Sequence, residues 1–466
     1  MDKYLGVELG STRIKGVVID ENVKVISSNE FLWENKKAGG LWTYDLEDVQ
    51  SGARSTVAKL DLSGLKAMGV SAMMHGYLAF GQDGQLLTPF RTWRNENTQK
   101  AAKILSDLFV FNIPLRWSVA HLYQAILDGE ESVKDVAFLT TLAGYVHWKL
   151  TGEKCLGIGD ASGMFPVKNG QWNPGHVEAF FKLTGIDWPK IAPAIKLAGQ
   201  GAGRLTQFGL EYLNLPQSFL GLPLCPPEGD AGTGMVATDS LATRSGNVSA
   251  GTSIFAMVVL EGPLLKPHPT VDVVMTPDGH DVAMVHYNEC SSLVDGWINL
   301  FNEVLELFGT KVPKDKLFTT LYEIALEKGP GALPTFMKQR LEKAVSALKE
   351  GLKILTEEEG VSVDFLTGHG GFFKSGQAGQ SVMGETVGIP IRLMAHSSEG
   401  GAWGMAVLAA YMAAKTPTQK EPTERADRID RIDQIERTER TEPIERAAEL
   451  TLVDYVHSIF SDGGKK

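Results

Sequence analysis

The sequence predicts a two-domain α/β protein. Short β-branched segments such as 16–19 and 67–70 alternate with longer amphipathic segments such as 337–355, and this alternation is typical of sheets flanked by helices. A chain of 466 residues, of which 43% are hydrophobic, is long enough to form two substantial cores. Glycine and proline cluster at 199–203 and 220–234, so we place a domain boundary near residue 236.

Charge and cysteine content argue against several classes of function. The net charge is −11, and no basic stretch is long enough to follow a phosphate backbone, so we expect no nucleic-acid partner. Cys155, Cys225 and Cys290 are far apart, so neither a disulfide framework nor a zinc site is predicted. The first residues lack an export-signal pattern, and the apolar run at 405–414 is shorter than the roughly 20 residues that span a bilayer. We therefore expect a cytoplasmic protein without a membrane partner.

A charged repeat stands near the end of the chain. Residues 425–446 repeat a triplet of arginine, a variable residue and an acid, and this period fits neither a helix turn nor a heptad. The composition favours a solvated spacer without stable structure, and a partner-binding arm is the alternative. We assign residues 415–466 to a charged low-complexity tail.

The first motif with chemical meaning is GVELGSTRIKGVVID at 6–20. An apolar strand carries Glu8 and ends at Gly10, Ser11 and Thr12, after which the chain turns into a second strand that carries Lys15. Successive amide N–H groups at such a bend can form an anion-binding nest, with two hydroxyl groups beside it. An ordinary hairpin is the alternative for this motif taken alone.

The same arrangement occurs again in the second half of the chain. The run NVSAGTSIFAMVVLEG places Gly251, Thr252 and Ser253 between two apolar strands, so the two hairpins look like two clamps on one nucleotide. Two glycine-rich segments follow, where small residues would let a base and a ribose lie against the backbone. Their central glycines are Gly370, Gly371, Gly400 and Gly401.

In this order, GVELGSTRIKGVVID, GDAGTGM, SAGTSIF, GHGGFF and EGGAWGMAVLAA resemble motifs of the FGGY carbohydrate kinases, over residues 1 to about 414. The resemblance implies two ribonuclease-H-like domains, of the actin, hexokinase and heat-shock-70 superfold, around a central cleft. It implies a sugar-binding domain at 1–236 and an ATP-binding domain at 237–414. The implied ligands are ATP and Mg²⁺, with the hairpins as phosphate motifs and the later glycines as the adenosine motif.

Asp230, in CPPEGDAGTGM, is the candidate catalytic residue. It stands between small residues at the proposed domain junction, and phosphoryl transfer to an alcohol needs a carboxylate that accepts the hydroxyl proton. A turn-capping aspartate is the alternative, whereas in the resembling family the Asp of this motif is the catalytic base. The resemblance also places Glu8 beside Mg²⁺, directly or through water, although most of the family carries Asp there.

The resemblance also implies a sugar site, because Met-His-Gly is the element with which xylulokinase-like members hold the sugar. The implied residues are Met74, His75, Gly76, Trp93, Arg94 and Asp230. Core packing is the alternative for His75 and Trp93. Asn95 stands where many relatives have Asp, and we expect it to alter the pairing of a sugar hydroxyl. The implied reaction transfers the γ-phosphoryl of ATP to a ketopentose such as xylulose or ribulose.

One departure from the family pattern lies near 329–336, where the chain runs almost directly into a helix and a few tens of residues are missing. We expect this loss to remove a strand from the second sheet and to expose an edge, which keeps a homodimer among the expected assemblies. The main alternative function is a catalytically impaired FGGY homologue that binds sugar or nucleotide without turnover. The chain contains no G-x-S-x-G elbow, which argues against an esterase. The glycines at 199–203 lack the G-x-G-x-x-G spacing, which argues against a dinucleotide oxidoreductase.

Overall fold

The computed structural model describes residues 1–251, 253–326, 331–394, 400–415 and 450–462. Its strands are β1 (Lys3–Leu9), β2 (Arg13–Asp20), β3 (Val25–Leu32), β4 (Lys36–Ala38), β5 (Leu41–Thr43), β6 (Leu65–Ala72), β7 (Leu78–Phe80), β8 (Phe138–Thr140), β9 (Cys155–Gly157), β10 (Val167–Lys168), β11 (Gln171–Trp172), β12 (Ala194–Lys196), β13 (Glu228–Gly229), β14 (Ser245–Ala250), β15 (Ile254–Val259), β16 (Val271–Met275), β17 (Asp281–Tyr287), β18 (Phe365–His369) and β19 (Ile391–Leu393). Its helices are α1 (Leu46–Val57), α2 (Gln99–Phe109), α3 (Ser118–Leu127), α4 (Leu142–Thr151), α5 (Ile158–Ser162), α6 (Pro174–Thr184), α7 (Trp188–Ile191), α8 (Gln207–Leu213), α9 (Asp230–Ala237), α10 (Ser291–Leu307), α11 (Lys314–Ile324), α12 (Ala332–Lys353), α13 (Gln377–Val387), α14 (Gly400–Lys415) and α15 (Leu452–Asp462).

The first sheet has the strand order β13-β6-β1-β2-β3. β1 and β2 form the predicted antiparallel hairpin, whereas β6 runs parallel to β1 and β13 runs parallel to β6. The carboxyl ends of β1, β6 and β13 therefore lie at one edge, which is where ligands bind in sheets of this kind. The turn at 10–12 follows β1, the segment 73–76 follows β6, and Asp230 follows β13. Strand order thus brings together three motifs that are far apart in sequence.

The second sheet repeats this pattern. Its order is β16-β17-β15-β14-β18-β19, in which β14 and β15 form the second predicted hairpin, and β18 and β19 run parallel to β14. Five of its strands correspond in order and direction to the five strands of the first sheet, and β16 is added at the edge. The described second sheet thus contains every strand that the first sheet has, and the expectation that the chain lacks a strand of the family pattern stays a prediction. The predicted boundary at residue 236 falls within α9, between the two sheets.

α14 packs against the first sheet, at β1 and β6, and against α9. The approach is very close, because a Cβ atom on Gly6 would lie 2.0 Å from the carbonyl oxygen of Ala402, and one on Gly404 would lie 2.1 Å from that of Thr233. Only glycine leaves room for such an approach. α14, which the sequence places in the second domain, therefore closes the core of the first domain.

The described end of the chain also packs on the first domain. α15 buries Leu452 and Val456, and the Tyr411 hydroxyl donates a hydrogen bond to the carbonyl oxygen of Leu450 at 3.1 Å. This part of the region assigned to a charged tail is thus a packed helix, because its apolar residues recur at helical spacing. The charged repeat at 425–446 lies outside the described residues. Within the described ranges, no helix has the length and apolar character needed to cross a bilayer.

Candidate active site

A cleft of about 1390 Å³ lies between the two sheets, and both halves of the chain contribute to its wall. The residues predicted from the sequence that line it are Glu8, Ser11, Met74, His75, Trp93, Arg94, Asp230, Ser253, Gly400 and Gly401. The structure therefore gathers in one place the candidate base, part of the sugar motif, Glu8, a residue from the turn of each hairpin and the start of α14.

Other predicted residues are not part of this wall. Among the described residues these are Gly10, Thr12, Lys15, Gly76, Gly251, Gly370 and Gly371. Some are direct neighbours of the wall, since Lys15 lies opposite Glu8 in the sheet and Gly370 follows His369, which lines the cleft. Thr252 lies outside the described residues. The roles of these residues in ligand binding stay predictions.

Asp230 is the first residue of α9 and faces the cleft. Its Oδ1 accepts a hydrogen bond from the backbone N–H of Met74 at 3.0 Å, which fixes the carboxylate against the sugar motif. Burial raises the pKa of Asp230 to about 6, and the bond from the Met74 amide opposes that rise. At neutral pH the group is therefore mostly ionised and is basic enough to accept a proton.

His75 is held in an uncommon backbone conformation, with φ at 70°. A non-glycine residue pays a conformational cost there, and such residues cluster at functional sites. Its Nδ1 lies 3.1 Å from the carbonyl oxygen of Gly163, which can only accept, so Nδ1 carries the proton and Nε2 is an acceptor. Burial, followed by the charge of Arg116, lowers the pKa of His75 well below its ordinary value and keeps the ring neutral. The ring therefore offers an acceptor to a hydroxyl group.

Aromatic side chains hold the first hairpin turn. Trp33 Nε1 donates to the carbonyl oxygen of Gly10 at 2.7 Å, and the Tyr44 hydroxyl donates to that of Ser11 at 2.6 Å. Trp93 Nε1 donates to the Ser11 hydroxyl oxygen at 3.0 Å. The Gly10 N–H donates to the carbonyl oxygen of Arg13 at 2.9 Å, so the donors that could serve an anion at this turn are those of Ser11 and Thr12. Trp93 thereby joins the predicted sugar wall to the predicted phosphate turn.

Glu8 joins the first sheet to the start of α14. Its Oε2 accepts from the backbone N–H of Ala402 at 3.1 Å, at the positive end of that helix. Burial and then the negative charge of Asp230 raise the pKa of Glu8 to about 7, while Lys15 across the hairpin opposes the rise. Two carboxylates thus share one side of the cleft.

Asn95 does not line the cleft. The residue is buried, at 4% exposure. Its Oδ1 accepts a hydrogen bond from the Trp42 N–H at 2.8 Å. Its Nδ2 donates to the carbonyl oxygens of Trp42 at 2.9 Å and of Thr92 at 3.1 Å. Asn95 therefore has no direct place in the cleft wall, and our expectation that it alters the pairing of a sugar hydroxyl stays a prediction. The amide acts as donor and acceptor toward the backbone of one residue, Trp42, which a carboxylate cannot do. This pairing places Trp42 in the cleft wall, where Arg94 stacks on its ring at 4.2 Å.

Two of the later glycines have packing roles. A Cβ atom on Gly401 would lie 2.5 Å from Oε1 of Glu8, and one on Gly370, where φ is 99°, would lie 2.6 Å from the carbonyl oxygen of Ala250. Close approach within the protein is thus a sufficient reason for glycine at both positions. Contact of these glycines with adenosine stays a prediction.

Sequence reasoning missed several residues of the wall. Met284, His286 and Asn288 line it from β17 and the residue after it, at alternate positions. Strand periodicity was the signal that could have found them. Asp272 lines the cleft from β16, and Arg116 faces it from the connection between α2 and α3. No sequence motif marks this last pair.

Comparison with known proteins then identifies the family. A family model for the N-terminal domain of FGGY carbohydrate kinases matches residues 3–211, and the model for the C-terminal domain matches residues 326–413. Together the two matches cover more than half of the chain. The chain belongs to the FGGY family of carbohydrate kinases. The predicted resemblance is confirmed, and the short C-terminal match agrees with a shortened second domain.

Relatives of this FGGY chain are distant in sequence and close in fold. The xylulose kinase of Klebsiella pneumoniae is 22% identical over 283 residues, which cover 58% of this chain and 56% of that enzyme, so the match spans about half of the curated relative. A xyloylose kinase from Brucella ovis has a TM-score of 0.74 at 17% identity, over 99% of both chains. A gluconate kinase from Lactobacillus acidophilus has a TM-score of 0.75 at 14% identity, over 89% of this chain and 90% of that one. These likenesses confirm the predicted fold class of two actin-like domains.

Proposed function

We propose that this FGGY chain transfers the γ-phosphoryl group of ATP to a hydroxyl of a ketopentose-type sugar, xylulose or ribulose. The observation that carries the proposal is the single cleft that contains Asp230, Met74 with His75, and a serine from the turn of each hairpin. The xylulose kinase among the relatives and the Met-His-Gly element support a ketopentose as the acceptor.

Each role follows from the contacts around it. Asp230 is anchored by the Met74 amide and accepts the proton of the attacking hydroxyl. His75 accepts a hydrogen bond from a second hydroxyl through Nε2 and so orients the sugar. The turns that contain Ser11 and Ser253 hold the phosphate groups from the two sides of the cleft.

The donors beside Asp230 suit Mg²⁺. The charge of Asp230 is felt at Glu8, so two carboxylates face one part of the cleft, and hard oxygen donors are what Mg²⁺ prefers. Because Oε2 of Glu8 already accepts from Ala402, Oε1 would hold the ion, directly or through water. When bound, Mg²⁺ offsets charge on the β- and γ-phosphates.

The test is sugar-dependent release of ADP. Purified protein with MgATP is given xylulose, ribulose, polyols, glycerol and gluconate one at a time, and ADP is measured with a coupled assay. We expect stimulation by a ketopentose and none by glycerol. If no compound raises ADP release above the blank while a non-hydrolysable ATP analogue still binds by calorimetry, the chain is an impaired FGGY homologue and the kinase proposal is wrong.

A further inference from the structure

We propose that Arg116 is a positioning residue that couples the sugar motif to the second domain through Asp272. The inference rests on the proposed kinase function and deepens it, because it names a physical link between the sugar side and the ATP side of the cleft. Arg116 lies in the connection between α2 and α3 of the first domain, and Asp272 lies on β16 of the second sheet.

On the sugar side, the segment that carries Arg116 holds both polar groups of the Gly76 backbone. The N–H of Gly76 donates to the carbonyl oxygen of Arg116 at 3.2 Å, and the Ser118 hydroxyl donates to the carbonyl oxygen of Gly76. Gly76 has a φ of 95° and follows His75, whose φ is 70°. Left-handed conformations at two successive residues persist only where the surroundings hold them. The 116–118 segment therefore fixes the geometry of the Met-His-Gly element.

On the side of the second domain, the same connection holds the edge strand β16. The Arg116 guanidinium forms an ion pair with Oδ2 of Asp272, and Asn112 Nδ2 donates to Oδ1 of Asp272 at 2.9 Å and to the carbonyl oxygen of Val271 at 3.1 Å. β16 pairs with β17 alone within the described sheet, so the first domain supplies partners on its outer side. The side chains of Asn112 and Arg116 thus tie the first domain to the start of β16.

The ion pair is largely removed from water. The side chains of Arg116 and Asp272 are 20% and 10% exposed. Separating such a pair leaves a poorly solvated charge on each side, which costs far more than breaking a surface pair. Burial, and after it the charge of Arg116, lowers the pKa of both His75 and His286, so the guanidinium lies near the sugar motif and near β17. A shift of the second domain at this point must therefore displace the segment that holds Gly76, and the reverse also holds.

Asp272→Asn tests this link in the full chain, because it keeps the shape and an acceptor for Asn112 while removing the charge that binds Arg116. The matched control is Asp364→Asn, which breaks the pair between Arg244 and Asp364, at 2.7 Å, with side chains 43% and 55% exposed and both residues in the second half of the chain. Arg116→Lys is the second variant, since it keeps the charge and loses the planar donor set.

The main readout is the coupling between two ligands, measured by calorimetry with a non-hydrolysable ATP analogue in the presence and absence of D-xylulose. In the unmodified chain we expect xylulose to tighten nucleotide binding by about 5-fold or more. Asp272→Asn should reduce that factor to within about 2-fold of unity and lower kcat about 10-fold or more, with the affinity for xylulose alone changed less than about 3-fold. Arg116→Lys should be intermediate, and Asp364→Asn should match the unmodified chain.

Several results would overturn the link. An unchanged coupling factor in Asp272→Asn and Arg116→Lys would do so, and so would a coupling factor of one in the unmodified chain. A raised KM for xylulose with unchanged kcat in Arg116→Lys would make Arg116 a direct sugar-binding residue instead.

Hydrogen exchange of the ligand-free protein separates this inference from the proposed function. Amides at 271–275 and at 74–77 should both exchange about 10-fold faster in Asp272→Asn than in Asp364→Asn, because both depend on the same connection. If the unmodified chain binds neither sugar nor nucleotide, the kinase proposal fails, and this exchange measurement decides the link alone. Faster exchange at 271–275 with no change at 74–77 would refute it.

Discussion

Replacing Asn95 with aspartate changes an amide into a carboxylate at a position where both functions of the amide are used. Oδ1 accepts from the Trp42 N–H, and Nδ2 donates to the carbonyl oxygens of Trp42 and Thr92. A carboxylate keeps the first bond and loses the other two. It also sets a negative charge against two carbonyl oxygens at a residue that is 4% exposed.

The expected loss of stability follows from these contacts. Each lost hydrogen bond costs about 1 kcal/mol, and leaving buried acceptors and an anion without donors adds about 1 to 3 kcal/mol. We therefore expect Asn95→Asp to cost about 3 to 5 kcal/mol at pH 7, which lowers the melting temperature of the first domain by roughly 6 to 20 °C in a fluorescence melt. The protonated acid can donate to a carbonyl, so the loss should shrink as the pH falls towards about 4.

Asn29→Asp is the matched control. Asn29 Nδ2 donates to the carbonyl oxygens of Ser55 at 3.1 Å and Thr56 at 2.9 Å, so the same two donors are lost, but at a half-buried surface position that water can reach. We expect its destabilisation to be less than about half of that of Asn95→Asp. If both variants lose the same stability, the pairing of Asn95 with the Trp42 backbone does not hold the cleft wall, and the reasoning is refuted.

Three further variants test the proposed roles. Asp230→Asn should lower kcat by about 10² to 10⁴-fold and change sugar affinity by less than about 3-fold, because the amide keeps the bond from Met74 but cannot act as a base. Near-normal turnover would assign the base to another residue. In the unmodified chain, kcat/KM should fall about tenfold per pH unit below about pH 6, because burial raises the pKa of Asp230 to about 6 and protonation of this group removes the base. A kcat/KM that stays constant down to pH 5 would contradict this. Glu8→Gln should weaken Mg²⁺-dependent turnover yet raise the melting temperature at pH 8 in chelator. Burial and the charge of Asp230 raise the pKa of Glu8 from 4.5, its ordinary value in the unfolded chain, to about 7 in the folded protein. Ionised Glu8 therefore lowers the stability of the fold increasingly between pH 4.5 and pH 7, and by a constant amount above pH 7. Water in the cleft limits this gain to about 1 to 2 kcal/mol, and equal melting temperatures would contradict it. Trp93→Phe removes the donor to Ser11, worth about 1 kcal/mol, and should raise KM for ATP about 5-fold in steady-state assays; an effect on sugar KM alone would confine Trp93 to the sugar wall.

The sequence by itself determined the features that depend on local patterns. An apolar strand, a turn of small residues and a second apolar strand specify a hairpin, and both predicted hairpins are present. The order of short motifs along the chain was sufficient for the family, which the family models confirm. Asp230 could be singled out because glycine and alanine flank it at the junction between the halves, and it does line the cleft.

The tertiary structure decided the contacts between distant parts of the chain. Glu8 meets Ala402, 394 positions later, because glycines let α14 approach the first sheet. The Asn95 side chain donates to the backbone carbonyl of Trp42, and Arg116 of the first domain forms an ion pair with Asp272 of the second. Hydrophobic periodicity specifies which face of an element is buried, but it does not specify which polar group another element will present to that face. That choice depends on strand order and on how closely two backbones can approach, and both are properties of the folded chain.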